Sequence, residues 1–350
     1  MHLCARLWNA VKRTRPITDA AWRRLAVPAL VLTSLGFCGW RFMIWMPLES
    51  YRGPWLPLSP EENALRDALQ RDVRVIADEM GDRNVFVYPR LAQAAAWIEA
   101  SFAEAGYDVR RLGFEVRGKV CHNLEVEIPG RTRPEEIVVI GAHYDSVPGC
   151  PAANDNGSGV AAVLALARAF AGAGPERTIR FVAFVNEEPP FYRTSEMGSF
   201  VYARECRQRG ERVVAMLSLE TIGYYRDERG SQKYPPPFSL FYPSEGNFIA
   251  FVGNVSSRAL VRQCLATFRR EVKFPSEGAA LPGSITGVGW SDHWSFWKEG
   301  YPAAMVTDTA LFRYPYYHSP GDTHEKLDYD RMARVVNGLE RVTRDLAGAR

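Results

Sequence analysis

Apolar residues along the chain form short runs and longer periods that alternate between strand and helix. Four runs rich in β-branched residues predict strands at 124–128, 137–142, 178–185 and 213–219. An alanine- and leucine-rich stretch at 160–170 predicts a helix between the second and third of them. Continuous apolar strands suit a sheet that is covered on both faces. The pattern therefore predicts an α/β fold, a three-layer sandwich with a mostly parallel, twisted mixed sheet flanked by helices.

Further periods extend this core in both directions. Helical spacing predicts helices at 60–80, 88–105, 257–270 and 328–346. Two apolar runs predict further strands at 248–252 and 303–307. The pattern loosens at about 225–290, which we expect to be an insertion bordering the functional site.

One segment near the N-terminus is apolar enough to span a membrane. Residues 25–40 carry no charge, and the apolar run resumes after Arg41 and ends at Met46. The uncharged part would rise about 24 Å as a helix, short of the roughly 30 Å hydrocarbon core. Arg41 can extend its charge toward the interface, which lengthens the usable span. We therefore predict one transmembrane helix over 25–46.

Charges around this segment predict its orientation. The preceding basic residues are Lys12, Arg13, Arg15, Arg23 and Arg24. The positive-inside rule then leaves a basic tail, 1–24, in the cytoplasm and places the rest in the periplasm or outside the cell. A proline-rich linker is expected at 47–60, followed by a catalytic domain over 61–350. A cleaved signal peptide is the alternative interpretation.

Composition removes some functions from consideration. The 43 basic and 40 acidic residues leave a formal charge of +3, spread along the chain, so no nucleic-acid partner is expected. The six cysteines show no CxxC pair and no disulfide-framework spacing. Buried thiols are expected, with one bridge among the last four left open for an exported domain. The oligomeric state stays unknown.

Imidazole and carboxylate side chains follow the predicted strands. The candidates at strand ends are His143, Glu187, Glu188 and Glu220. Asp155 lies in a tight turn that opens a helix, and His318 lies in a turn-rich loop after the last strand. Because sites form beyond the carboxyl ends of strands in open α/β sheets, we expect these groups to converge. Such ligands suit zinc, and also manganese or cobalt, in a catalytic site.

Six motifs in a fixed order carry a family resemblance. They are GAHYDS at 141–146, NDNGSG at 154–159, NEE at 186–188, LETIGY at 219–224, SDH at 291–293 and YHSPGDT at 317–323. With them the chain resembles the M28 family of zinc peptidases over about 61–346. The resemblance implies the zinc-peptidase (phosphorylase/hydrolase-like) fold, two Zn²⁺ per chain, a peptide substrate and aminopeptidase activity. The lipid bilayer is the expected partner of the N-terminal helix.

The resemblance also implies a role for each candidate ligand. Asp155 would bridge two zinc ions. His143 and Glu220 would complete one ion's site, and Glu188 and His318 the other. The family often has aspartate where Glu220 stands, so this ligand is longer here.

The remaining roles concern proton transfer and positioning. An adjacent acidic pair can supply one metal ligand and one free base, and the resemblance makes Glu187 the general base. Tyr317 is the candidate donor to the oxyanion, and Asp145 the acceptor that orients His143. A strained, cis peptide bond is implied after Asp155.

Other residues were weighed as near neighbours of the site. Asp292 and His293 are expected to support it, whereas His122 and His324 match no motif role. The aromatic residues at 224–225, 238–242 and 290–297 are candidates for the wall of an apolar substrate pocket.

Two other functions share these features. A glutaminyl-peptide cyclotransferase would have the same fold and acidic pair but a single zinc. A non-catalytic, receptor-like ectodomain would keep the fold and bind no metal.

Overall fold

The computed structural model describes residues 19–349, with side chains described from residue 26 onward. Two units follow one another along the chain, with the boundary between Met43 and Ile44. Most of the expected cytoplasmic tail, 1–24, lies outside the described residues.

The N-terminal unit contains one long apolar helix, α1 (Asp19–Met43). Its stretch Ala26–Met43 is long and apolar enough to cross a membrane, a property that a signal sequence shares. The helix ends at Met43, three residues before Met46, where the predicted transmembrane span ends. Met46 belongs instead to the core of the following domain.

Eight strands form one sheet in the domain. They are β1 (Arg110–Val116), β2 (Lys119–Ile128), β3 (Arg133–His143), β4 (Arg177–Phe184), β5 (Arg212–Glu220), β6 (Ile249–Gly253), β7 (Ser276–Ala280) and β8 (Ala303–Thr307). Their spatial order is β1-β2-β4-β3-β5-β8-β6-β7. The four central strands, β4, β3, β5 and β8, are parallel to one another, whereas β2 and β6 pair antiparallel with this centre.

Helices cover both faces of the sheet. They are α2 (Pro60–Arg74), α3 (Tyr88–Glu104), α4 (Gly159–Phe170), α5 (Gly198–Gln208), α6 (Arg258–Glu271), α7 (His293–Lys298), α8 (Ala310–Arg313) and α9 (Tyr329–Ala347). Along β3, Val138 and Ile140 belong to the larger core, which includes α2, α4 and α9, while Ile137 and Val139 belong to a smaller core beneath α5 and α7. Because successive side chains point to opposite faces, one apolar run supplies both cores. The predicted three-layer α/β fold is confirmed.

Local sequence signals set the helix that opens the domain. The Ser59 hydroxyl accepts the Glu62 N–H at 3.1 Å, and the Glu62 carboxylate accepts the Ser59 N–H at 3.0 Å. With Pro60 in the first turn, this capping box satisfies N–H groups that would otherwise have no helical partner.

Five of the helices and strands named above lie outside the sequence prediction: β1, β7, α5, α7 and α8. The segment expected as an insertion, 225–290, contains β6, α6 and β7, so its centre continues the sheet. Only its two ends, before β6 and after β7, are loops over the carboxyl edge.

Candidate metal centre

The predicted ligands meet where the central parallel strands end. His143 is the last residue of β3 and Glu220 the last of β5. Glu187 and Glu188 follow β4, which ends at Phe184. Parallel strands place their carboxyl ends at one edge of the sheet, so these groups converge although the chain separates them widely.

Asp155 stands at the middle of this cluster. Its Oδ1 is 3.3 Å from His143 Nε2, and its Oδ2 is 3.0 Å from His318 Nε2. On the first side, Glu220 Oε2 is 3.3 Å from His143 Nε2. On the second side, Glu188 Oε2 is 3.3 Å from His318 Nε2. The two carboxylate oxygens of one aspartate therefore face two different histidine–glutamate pairs.

Among the described residues, three overlapping groups have donor atoms within 4.8 Å of one another. They are His143–Asp155–Glu220, His143–Glu187–Glu188 and Asp155–Glu188–His318. All six side chains are at least two-thirds buried. Imidazole and carboxylate are the donors that catalytic zinc uses.

The charges of the cluster fit divalent cations. Burial raises the pKa of Glu187 and of Glu188, and each is raised further by neighbouring carboxylates. Burial opposes the charge of His318, but the carboxylates of Asp155 and Glu188 raise its pKa to about 11. Asp155 Oδ2 and Glu188 Oε1 are buried and accept no hydrogen bond. Buried carboxylates at this density require compensating positive charge, which a metal supplies.

Asp145 connects the cluster to the main chain. Its two carboxylate oxygens accept the N–H groups of Glu187 and Glu188 at 3.0 and 3.1 Å. His143 Nδ1 is 3.2 Å from the Asp145 carbonyl oxygen and 3.5 Å from its carboxylate. Asp145 therefore sets the position of the acidic pair as well as the orientation of His143.

The turn that carries Asp155 is held by long-range contacts. The peptide bond between Asp155 and Asn156 is cis, which confirms that expectation. The Asp322 carboxylate accepts the Asn154 N–H at 2.8 Å and the Asp155 N–H at 3.0 Å. Asn156 accepts the N–H of Thr221 at 3.1 Å, which ties the turn to the end of β5. Asp322 lies inside a motif quoted above, but its function was not predicted.

Arg83 is a second residue that the sequence did not single out. Its side chain is fully buried, and its guanidinium donates to main-chain carbonyls on both sides of the loop that leads to Asp155. The acceptors are Ile76, Gly81, Tyr144, Pro151 and Ala152. No local sequence signal distinguishes this arginine from those at the surface.

An apolar cavity opens beside the cluster. Its volume is about 120 Å³, and Glu220 and Tyr317 are among the residues that line it. Its walls include Phe238, Tyr242, Phe248, Leu281, Trp290, Met305 and Phe312. Three of these, Phe238, Tyr242 and Trp290, are among the aromatic residues expected at a pocket wall.

Tyr317 packs directly on a candidate ligand. Its ring is stacked on that of His318, with centroids 3.9 Å apart. Burial raises the pKa of Tyr317, so the phenol keeps its proton at neutral pH. The ring therefore lies between the cavity and the cluster.

The remaining candidates lie around this centre. Asp292 and His293 are fully buried, and His293 Nε2 is 2.8 Å from the Val288 carbonyl oxygen. His122 and His324 belong to none of the three donor groups found in residues 19–349. The five cysteines of this described part are free, and four of them are buried.

The sheet and its candidate ligands indicate a class of protein. An open, mostly parallel sheet with histidine and carboxylate donors at its carboxyl edge, beside an apolar cavity, is the architecture of a metal-dependent hydrolase. The model of Peptidase family M28 matches residues 123–343. The chain belongs to this family, which confirms the resemblance.

Curated proteins place the chain among peptidases. It is 36% identical over 310 residues to the uncharacterized protein YfbL of Escherichia coli (strain K12), covering 85% of this chain and 94% of that protein. It is 32% identical over 233 residues to a probable leucine aminopeptidase of Arthroderma otae, covering 62% of this chain. That match spans 56% of the length of the leucine aminopeptidase.

Solved structures share the fold. A zinc aminopeptidase from Bacillus subtilis, BSAP, superimposes with a TM-score of 0.64 at 14% identity, over 85% of this chain and 96% of that one. A glutaminyl cyclase from Fimbriiglobus ruber superimposes with a TM-score of 0.61 at 20% identity, over 84% of this chain and 98% of that one. At these identities the likeness is one of fold alone.

Proposed function

We propose that this protein is a membrane-anchored, dinuclear zinc aminopeptidase. The observation that carries the proposal is the position of Asp155, whose two oxygens face separate histidine–glutamate pairs. One pair is His143 with Glu220, and the other is His318 with Glu188. A carboxylate in this position can bridge two cations, and each pair completes one site.

The residues assigned to the metals are those of the cluster. His143 and Glu220 would hold one zinc and Glu188 and His318 the other, with Asp155 contributing to both sites. When bound, zinc polarises a carbonyl oxygen and lowers the pKa of water toward neutrality.

Glu187 is the proposed general base. Its Oε2 is 3.9 Å from His143 Nε2, whereas the nearest oxygens of Asp155 and Glu220 are each 3.3 Å from that nitrogen. Glu187 therefore lies beside the proposed metal ligands and is left free to act as a base. The Asp145 carboxylate fixes its main chain through the N–H of Glu187. Glu187 takes the proton of the attacking water and then passes it to the leaving amine, which splits the peptide into a free amino acid and a shortened peptide.

Tyr317 is the proposed hydrogen-bond donor to the developing oxyanion. Its phenol is protonated at neutral pH, and its ring is stacked on His318 and lines the apolar cavity. A donor placed where negative charge develops stabilises the transition state more than the substrate.

The cavity supports a preference for an apolar first residue. It is lined by Glu220 and Tyr317 together with aromatic and aliphatic side chains. Burying a leucine-sized side chain there would add about 2 kcal/mol of binding free energy. The similarity to leucine aminopeptidases is consistent with this preference.

The apolar helix α1 supports attachment to a membrane. Basic residues precede it in the sequence, so we propose a cytoplasmic N-terminus and a catalytic domain in the periplasm or outside the cell.

The test is metal content measured on the full-length chain in detergent, together with hydrolysis of leucyl-, alanyl- and glutamyl-chromophore substrates. Near two zinc ions per chain, with release of chromophore that a chelator abolishes and zinc restores, is the expected result. One zinc with conversion of an N-terminal glutamine to pyroglutamate would assign the cyclase instead. A chain without stoichiometric metal would be a receptor-like ectodomain.

A further inference from the structure

The segment between the apolar helix and the domain is folded onto the domain. We call residues 44–58 the strap. Arg269 donates to the carbonyls of Pro47 and Leu48 at 3.0 and 2.8 Å, and the Ser276 N–H donates to Ser50 Oγ at 2.9 Å. This part of the strap therefore lies along the end of α6 and the start of β7.

Both ends of the strap are also fixed. Near its start, the Met46 side chain is only 8% exposed and belongs to the larger core. Near its end, the Trp55 ring packs edge-on against Phe274 at 5.2 Å, and Arg334 donates to the Leu56 carbonyl at 2.8 Å. A flexible spacer would make no such contacts, so the strap is part of the folded domain.

The first contact of the strap lies at the junction with the apolar helix. Arg262 donates to the Trp45 carbonyl at 3.1 Å, and its guanidinium lies 4.5 Å from the centre of the Trp45 ring. Only one residue, Ile44, lies between Met43 and Trp45, so the two Cα steps between them span roughly 7 Å at most. Whatever direction the helix takes, the domain surface around Trp45 stays within that reach of the helix end.

The surface at this point has the chemistry of a membrane interface. We define the junction patch as Trp45, Val255, Arg258 and Arg262. Trp45 and Val255 are each 36% exposed. Arg258 precedes Arg262 by one helical turn on the same side of α6, a helix that carries four arginines and one glutamate. Tryptophan is enriched at the headgroup level of bilayers, and arginine is attracted to anionic headgroups.

We propose that the junction patch docks the catalytic domain on anionic lipid headgroups, with the arginines on lipid phosphates and Trp45 at the interface. The strap favours this docking in the anchored protein, because its contacts with the domain keep the junction patch close to the end of the apolar helix. The proposal rests on the proposed membrane anchor. A docked domain acts on peptides that approach along the membrane surface.

Hydrogen exchange on the full-length chain in nanodiscs tests the docking. The peptide covering residues 253–263 should exchange more slowly in phosphatidylcholine mixed with phosphatidylglycerol than in phosphatidylcholine alone, by roughly fivefold for each arginine engaged. High salt should remove the difference, because it screens charges beyond a few ångströms.

Two charge reversals on the same helix provide the matched comparison. Arg258→Glu should abolish the difference between the two membranes, whereas Arg270→Glu should retain it. Arg270 lies about 18 Å further along α6, beyond the Debye length of about 8 Å at physiological salt. Both variants should keep wild-type peptidase activity in detergent, which shows that they fold.

The outcomes separate the docking from the anchor. Retention of the full-length chain in the membrane fraction after an alkaline wash is measured first, and release of the chain contradicts the anchor and the docking with it. Retention with equal exchange in both membranes, or an equal response of the two variants, overturns the docking and leaves the anchor and the peptidase activity standing.

Discussion

The Asp322 carboxylate accepts the main-chain N–H of Asp155 at 3.0 Å, so one buried acid holds another in place. Its other oxygen accepts the Asn154 N–H and a hydrogen bond from the Tyr314 hydroxyl. The residue proposed to bridge the metals is thus oriented through its own main chain, by a group that is not proposed as a ligand.

Asp322→Asn should weaken metal binding. The amide keeps one acceptor oxygen and replaces the other by a donor that faces an N–H group, so the turn at Asp155 loses its fixed position. We expect zinc affinity to fall about 10- to 100-fold, as for other groups that orient metal ligands. Competition with a chromophoric chelator measures it. Asp330→Asn, at an exposed site on α9, is the control and should bind zinc like the wild type.

The acidic pair should divide into two functions. Glu187→Gln should keep both zinc ions but lower kcat by about 10²- to 10⁴-fold, because the water then lacks its base. Glu188→Gln and His318→Ala should lose metal as well as activity. Elemental analysis of the three variants measures the bound zinc, and steady-state kinetics measures kcat. Equal metal loss in all three would contradict the assignment of Glu187.

Filling the cavity should change the preference for the first residue. Ala279 is a small wall residue of the cavity on β7. Ala279→Leu should lower kcat/KM for leucyl substrates by at least about 10-fold. The alanyl substrate, whose side chain needs little of this space, is the internal control. An equal loss on both substrates would indicate general damage and not a substrate pocket.

Removing the buried guanidinium of Arg83 should destabilise the domain. Arg83→Met would remove the guanidinium donor from five main-chain carbonyls, of which that of Ala152 keeps the N–H of Gly157. We expect a loss of about 3 kcal/mol or more in the free energy of unfolding, because unsatisfied buried polar groups carry a large cost. Denaturant unfolding measures it. Arg90→Met on the exposed side of α3 should change stability by less than about 0.5 kcal/mol.

Glu211 should make stability depend on pH. Burial alone would raise its pKa, but hydrogen bonds from Arg180 and Arg209 lower it to about 2. The unfolded chain has a glutamate pKa of about 4.3, so this carboxylate stabilises the fold above that pH. The contribution is lost as pH falls toward 2.

Glu211→Gln should therefore cost about 1 kcal/mol at pH 7, and the difference from the wild type should shrink steadily below about pH 4. Glu205→Gln, which removes an exposed pair with Arg209, is the matched control and should show little effect at any pH. A pH-independent loss in Glu211→Gln would show that packing, and not charge, accounts for it.

Much of the fold could be predicted from the sequence, because buried strands and helices have recognisable patterns of apolar residues. The central strands sit between two layers of helices, so each contains a continuous apolar run, residues 137–140 in β3 and 213–217 in β5. The elements that were missed have a weaker apolar pattern. β1 lies at an edge and is half exposed, and β7 consists of Ser-Glu-Gly-Ala-Ala, which has no β-branched residue.

The sequence by itself determined the α/β class and the family and predicted the residues proposed to bind metal, because periodicity and motif order are properties of neighbouring positions. Only the tertiary structure decided which pair faces each oxygen of Asp155, that Asp322 and Arg83 hold its turn, and that the strap is folded onto α6. These distances join segments far apart along the chain. They are set by the packing of the whole domain, which no local pattern records.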